Sequence, residues 1–311
     1  MKILLIGYNR IGDTILSTGL INFLLNKHKN ALFTIVTSSI SAGIYENMPQ
    51  LEQLIISDKK RYSLHWLNTW LKTRSVKWDL IIDLRSTVLA FFLSTQDKMI
   101  FKGNKSEHKL IQYKNFIKSP NEIFPIIWAN KKDYIGIKEK KNIKSKYICI
   151  APLSNSPFKD WSINSYSTLF EKDLFNSYEI VLLGATSNKE ELNTINQLVN
   201  TSNQLINNLI NSADMIETYF LLKEAALFLG SDSSNMHLAV AANVPTIGLF
   251  GPTDEKLYGP QGDNNLSLRG DKSFSEVVNR LDYKSGEKKS YLDDLSVSKV
   301  YEEIERILEN R

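Results

Sequence analysis

A single cysteine, Cys149, stands in the whole chain, inside an apolar run. A disulfide framework is therefore excluded, and a reducing cytosol is the expected home. Long apolar runs are missing as well. None approaches the roughly 18 residues that a membrane-spanning helix needs. The opening, MKILLIGYNRIGD, turns polar too early for a signal peptide. The common nucleotide fingerprints are also lacking. The first glycines read Gly7-x4-Gly12, which is not GxGxxG, and no Gly-Lys-Ser/Thr follows. Neither the dinucleotide loop nor the P-loop is present. Charge imbalance is slight: the net charge of +4 permits an acidic surface as partner without demanding one. The lysines fall in linker-like sequence with no aromatic interleaving, so no nucleic-acid partner is expected.

What remains is an ordinary globular composition, 42% hydrophobic and 23% charged over 311 residues. That length suggests two domains. Apolar runs of strand length alternate with helical periods. Lys2–Gly7, Phe33–Thr37, Leu54–Ser57, Leu80–Leu84 and Met99–Lys102 read as strands. Asp13–Leu25, Tyr62–Thr73 (through Leu64, Leu67, Trp70 and Leu71) and Val88–Leu93 read as helices. Such alternation predicts a parallel sheet covered on both faces. The lysine-rich tract Lys131–Lys146 reads as a solvated linker. The pattern then repeats with strands at Tyr147–Ile150, Glu179–Leu183, Leu227–Leu229 and Thr246–Phe250. Helices are predicted over Ile163–Glu171, Lys189–Leu198, Met215–Ala226 and Ser234–Ala242. The predicted division is 1–140 and 141–311. The amphipathic helix Val297–Leu308 is expected to cross back to the first domain. Ligands of such folds sit at the carboxyl ends of strands, in clefts.

Three loops lie at such strand ends: Gly7–Asp13, Pro152–Trp161 and Gly230–His237. In the last, Asp232, Ser233 and Ser234 can cap the helix that follows, and a helix N-terminus there is an anion site. His237 lies one turn into that helix. Each has an ordinary alternative: Asp13 as a helix cap, Lys159 as a solvated loop lysine, His237 as a satisfied buried histidine.

Taken together, RIGDTILSTG (Arg10–Gly19), SNSPFKDW (Ser154–Trp161) and DSSNMHLAVAANVPTIGLFGPT (Asp232–Thr253) resemble the bacterial heptosyltransferases, the lipopolysaccharide core glycosyltransferases of family nine. The resemblance spans nearly the whole chain. It implies a GT-B fold of two Rossmann-like domains facing a central cleft. It implies an inverting transfer, without metal or cofactor, from an ADP-heptose donor to a lipid-linked saccharide acceptor. Asp13 matches the family's general base, with Arg10 and Gly12 on the acceptor side. Lys159 matches the lysine on the donor diphosphate, and Ser154 and Asn155 match small phosphate-binding residues. Asp232, Ser233 and His237 match the donor-binding Asp-Ser/Thr-Gly-x-x-His. The chemistry suits the residue types, because a lysine and a helix N-terminus can take the charge of a departing diphosphate. The metal-binding Asp-x-Asp is absent from the sequence.

Two departures stand out. Ser234 occupies the place of the family's usual glycine. After the Gly184-Ala185 turn, only Glu190 stands near the position of the acidic residue that meets the ribose. On the same fold, a nucleotide-sugar epimerase and a non-catalytic sugar-nucleotide binder are the alternatives. The resemblance further implies a cytoplasmic monomer. Lys98, Lys102, Lys105, Lys109, Lys114 and Lys118 are available for peripheral contact with an anionic membrane.

Overall fold

The computed structural model describes residues 1–130, 132, 135–279 and 290–309. The chain forms two compact units, Met1–Asn130 and Lys131–Arg311. Lys131 and Asp133 of the expected linker lie outside the described residues. The rest of that tract is not free linker. Residues Ile137–Lys140 form a short helix with Ile137 and Ile143 buried. Lys140 and Lys141 pair with Glu217 at 2.5 and 2.7 Å.

The first unit is built on strands β1 (Lys2–Ile6), β2 (Leu32–Thr37), β3 (Leu51–Ile56), β4 (Trp78–Asp83) and β5 (Thr95–Ile100). They pair in the order β3-β2-β1-β4-β5, and every pairing is parallel. The central strands are near-continuous Ile, Leu and Val because helices cover both faces of such a sheet. Helix α1 (Ile11–Lys27) is buried on most of its circumference. Its Gly19 has a structural cause: a Cβ there would lie 2.4 Å from the Phe124 carbonyl oxygen. The segment around Phe124 runs along the helix, and Thr18 accepts the Ile126 amide at 2.9 Å.

One expectation fails here. Val88–Leu93 is not a helix but a single 3-10 turn, Leu89–Phe91. Helix α3 (Leu64–Thr73; α2 is the short Ser39–Ala42) buries His65, Thr69 and Thr73, and leaves Leu64, Leu67 and Leu71 exposed. The hydroxyls of Thr69 and Thr73 bond back to the carbonyls of His65 and Thr69. These polar side chains are thereby satisfied inside the fold, and the leucines are left outside. Helix α4 (Lys109–Ile117) completes the unit against α1.

The second unit follows α5 (Ile137–Lys140) with strands β6 (Tyr147–Ala151), β7 (Glu179–Leu182), β8 (Ile206–Asn208), β9 (Phe228–Ser231), β10 (Thr246–Leu249) and β11 (Asn265–Leu268). The order is β11-β10-β9-β6-β7-β8, again all parallel. This is the doubly wound dinucleotide-fold order, read from the centre outward. The main helices are α6 (Ile163–Phe170), α7 (Lys189–Thr201), α8 (Met215–Glu224) and α9 (Ser234–Ala242). Ser162 caps α6, and a capping box of Asp214 and Glu217 starts α8. The C-terminal helix Val297–Glu309 packs on α6 and buries Val300 and Ile304 in this unit's own core. That apolar face, expected to cross back, is consumed within the second unit.

Candidate active site

Each sheet has one topological switch point, where the winding reverses. In the second unit it lies between β6 and β9, and ligands bind at such crevices. The loop after β6 and the loop after β9 meet there. Lys159 ends a 3-10 turn, Pro157–Lys159, and its ammonium donates to Asp232 Oδ2 at 2.7 Å. His237 Nε2 stands 3.8 Å from Asp232 Oδ1. Asp232 and His237 are both buried. Gly230 makes the approach of the strands possible: a Cβ would come 2.9 Å from the Ala151 carbonyl.

Asp232 does not cap α9, as the sequence suggested. The N-cap is Ser233, with extended backbone and no side-chain capping bond. The Lys159 ammonium holds the Asp232 carboxylate instead. Ser233 Oγ is screened from water and finds no partner among the described residues. The start of α9 thus offers a hydroxyl and uncapped backbone N–H groups beside a lysine. Such an end attracts anions. An ammonium has three donors, so Lys159 can hold Asp232 and still reach a phosphate oxygen. Ser234, the first residue of α9, is half-buried.

The other donor-side candidates are less uniform. Ser154 shapes its loop: its hydroxyl donates to the Ser156 carbonyl at 2.9 Å, and its amide donates to Asp160 Oδ1 at 2.8 Å. Asn155 is exposed. Glu190, second in α7, is also exposed, its amide donating to Asn188 Oδ1 and its carbonyl accepting from Thr194 Oγ1. Glu191 faces inward instead, accepting from Thr186 Oγ1 at 2.6 Å. Gly184 adopts φ +143°, and a Cβ there would sit 4.0 Å from the Asn235 amide nitrogen of α9. The β7 turn therefore approaches the same helix start.

In the first unit the switch point lies between β1 and β4. Arg85, after β4, donates to Asn9 Oδ1, after β1, at 2.9 Å. Thr37, at the end of β2, and Ser38, just after it, donate from their hydroxyls to the carbonyls of Tyr8 and Asn9. Arg10 is the exposed N-cap residue of α1 and makes no side-chain cap. Gly12 and Asp13 occupy the first turn, both half-buried. Asp13 is therefore not the cap the sequence allowed. It sits inside the helix, where the positive end of the dipole favours a carboxylate.

Four residues were missed by sequence reasoning. Lys109, taken as surface charge, is half-buried; burial pushes its ammonium pKa down, and Asp13 pulls it back up. Its neighbour His108 caps α4. Asp160 holds the Ser154 amide. Burial raises its carboxyl to about 6, against its bonds from Ser154 and the charge of Lys159. Arg269 pins the loop after β10, donating to the Gly251 and Thr253 carbonyls and to both oxygens of Glu255. The residues Arg269 joins lie 14 to 18 positions away, so spacing gave no signal. Among the described residues, no group of three His, Cys, Asp or Glu side chains could hold a metal ion.

Known proteins share this architecture. Lipooligosaccharide heptosyltransferase 2 of Campylobacter jejuni is 24% identical over 281 residues, covering 83% of each chain. The structure of E. coli ADP-heptose lipopolysaccharide heptosyltransferase II superposes with a TM-score of 0.78 at 17% identity, over 100% of this chain and 99% of that one. A family 9 glycosyltransferase from Veillonella parvula gives 0.80 at 18%, over 100% and 97%. The fold is of the GT-B class. The profile of glycosyltransferase family 9 (heptosyltransferase) matches residues 124–284, more than half of the sequence and the whole of the Lys159–Asp232–His237 constellation. The chain belongs to this family, the heptosyltransferases, and is a glycosyltransferase.

Proposed function

We propose that the protein moves a heptose from an ADP-heptose donor onto a lipopolysaccharide core or a similar lipid-linked glycan. The transfer inverts the anomeric centre and uses neither metal nor cofactor. An acceptor hydroxyl attacks the anomeric carbon, its proton passes to the Asp13 carboxylate, and the bond from carbon to the diphosphate oxygen breaks. Lys159 and the start of α9 receive the departing ADP. The observation that carries this reading is the Lys159 ammonium at 2.7 Å from Asp232 beside an uncapped helix N-terminus. A cation so placed stabilises charge that grows on a leaving group, the task a metal performs elsewhere. The relatives' names supply the heptose and the lipopolysaccharide.

The protein is read as a cytoplasmic monomer that meets the membrane peripherally. No helix of the described residues is long and apolar enough to cross one. The test is incubation with ADP-heptose and a heptose-free lipopolysaccharide acceptor, followed by mass spectrometry. One added heptose and stoichiometric ADP are expected, undiminished by chelator. Conversion of the sugar nucleotide without acceptor would establish the epimerase alternative instead.

A further inference from the structure

Helix α3 presents its leucines to water. Leu64, Leu67 and Leu71 are 49, 52 and 49% exposed, and their spacing of three and four puts them on one face. The 3-10 turn after β4 adds Phe91 and Phe92, 61 and 71% exposed. The two elements are joined. Trp70 Nε1 donates to the Phe92 carbonyl at 3.0 Å, and Trp66 and Trp70 pack on the cluster that holds Leu89 and Leu93. At about 100° per residue, Trp70 lies about 60° around α3 from Leu67. The phenylalanine turn therefore abuts the edge of the leucine face. Scattered apolar residues on a surface are ordinary; a joined set with a polar rim marks an interaction surface.

That rim is cationic. Residues 59–78 contain Lys59, Lys60, Arg61, Lys72, Arg74 and Lys77 and no carboxylate, and residues 84–96 contain Arg85 and none either. The cations lie over the rings. Arg74 stands 4.8 Å from the centre of Trp70, Lys98 4.3 Å from Phe91, and Arg61 5.8 Å from Tyr62. Tyr62 and Ser63 both hold left-handed backbone, φ 53° and 57°, a conformation that non-glycine residues keep under constraint. It leaves the Tyr62 ring in solvent.

We propose that this face seats the protein on an anionic lipid bilayer. Leu67, Leu71, Phe91 and Phe92 enter the interfacial layer, and the lysines and arginines meet headgroup phosphates. An apolar stripe whose rim carries more cations than carboxylates, with Asp58 and Asp97 beside Lys59 and Lys98, complements apolar tails beneath anionic heads. A second copy of the same face is the poorer occupant, because an isologous pairing sets like charges against each other. Tyr62 follows β3 and stands at the carboxyl edge of the sheet, whereas Phe91 lies on the crossover to β5, under Lys98 of that strand. Arg85, stacked over Trp66 at 4.7 Å, reaches Asn9 of the Asp13 loop. A lipid-borne acceptor on this surface would thus arrive beside Asp13. The surface deepens the acceptor assignment above, and only its purpose rests on that assignment.

The test is sedimentation of the full chain with vesicles of phosphatidylglycerol and phosphatidylcholine, compared with pure phosphatidylcholine. Binding to the anionic vesicles alone, weakened by salt, is expected. The exposed pair Leu67→Ser with Phe92→Ser should keep its melting temperature and lose vesicle partitioning by at least about tenfold. Leu71→Ser with Phe91→Ser serves as a second variant should the first fail to fold. Lys105→Glu with Lys118→Glu should matter far less. Equal binding to neutral vesicles, unchanged binding by both apolar variants, or a concentration-dependent dimer that they dissolve would each overturn the proposal. Transfer to a soluble, delipidated acceptor separates this from the enzymatic reading. It should survive both apolar variants, and its absence in the wild type would count against the activity while leaving the docking measurement intact.

Discussion

The proposed transfer gives Asp13 and Lys159 different roles, and single substitutions separate them. Asp13 lies in the first turn of α1, not at its cap, so its charge contributes about 0.3–1 kcal/mol through the helix dipole. Asp13→Asn keeps the shape and removes the proposed base. Turnover should fall by at least about 100-fold, with donor affinity unchanged and the melting temperature little moved. Near-normal turnover would leave the base elsewhere. Lys159→Ala should weaken ADP far more than adenosine in calorimetry, and an equal loss for both would remove the diphosphate role. The ratio is the readout because the change also strands the buried Asp232 carboxylate, which costs stability on its own account. At this scale the sequence was informative where a motif carried the residue and silent where a partner was distant. Lys159, Asp232 and His237 could be named together because their spacing matched a family. Arg269 and Asp160 could not, since an arginine 14 residues from its glutamate and an aspartate beside a tryptophan have no local signature. Glu190 is exposed at the start of α7, while its neighbour Glu191 is the carboxylate that Thr186 and Asn188 hold.

Among the elements, legibility followed burial. The central strands β1, β4, β6 and β10 are near-continuous apolar runs because helices cover both faces, and they were found. The edge strands β8 (Ile-Asn-Asn) and β11 (Asn-Leu-Ser-Leu) are short and half polar, and they were not. Helix α3 was found in place, with its leucine face outward. Its leucine stripe matched an inward face, whereas tertiary packing buried histidine and threonines whose polar groups are satisfied locally. Periodicity reports that a face is apolar, not that the fold covers it. Gly19 offers a test of element packing. In an exposed helix, Gly→Ala stabilises by about 1 kcal/mol. Here the added methyl meets the Phe124 backbone at 2.4 Å, and a backbone group cannot swing aside as a side chain can. Overpacking of this kind costs about 1–3 kcal/mol. Gly19→Ala should therefore lower the midpoint of urea unfolding, with the m-value preserved. A stabilised variant would show that the segment around Phe124 is free to lift from α1.

For the molecule as a whole, two parallel sheets, each with its own core, were legible from the alternation of apolar runs. The ends of the units were less so, because lysine-rich sequence reads as solvent-facing whether or not its cations are paired. Lys140 and Lys141 are paired, and that pairing enters the pH dependence of folding. Glu217 is drawn to about 2: burial would raise it, but its bonds from Lys140 and Lys141 outweigh that. A depressed carboxyl contributes stability above its unfolded value near 4.5, lost as pH falls toward 2. Glu255 is also depressed, its burial outweighed by Arg269, and it acts in the same sense. Asp160 acts in the opposite sense. Its carboxyl is raised from 3.8 to about 6, first by burial. Its penalty is absent below about 4, grows as pH rises through 6, and stays constant above. The difference corresponds to about 1–3 kcal/mol at neutral pH. Asp160→Asn keeps an oxygen for the Ser154 amide and removes the charge. The variant should be more stable than the wild type at pH 7, by that order, with the gap closing between pH 6 and pH 4. Below pH 4 the two proteins should lose stability together as Glu217 and Glu255 protonate. Urea unfolding at pH 4, 5, 6 and 7 reads the difference directly. A gap that does not change with pH would mean that Asp160 is kept ionised at no cost by its neighbours. A variant less stable at pH 7 would mean that its negative charge holds the Lys159 loop in place.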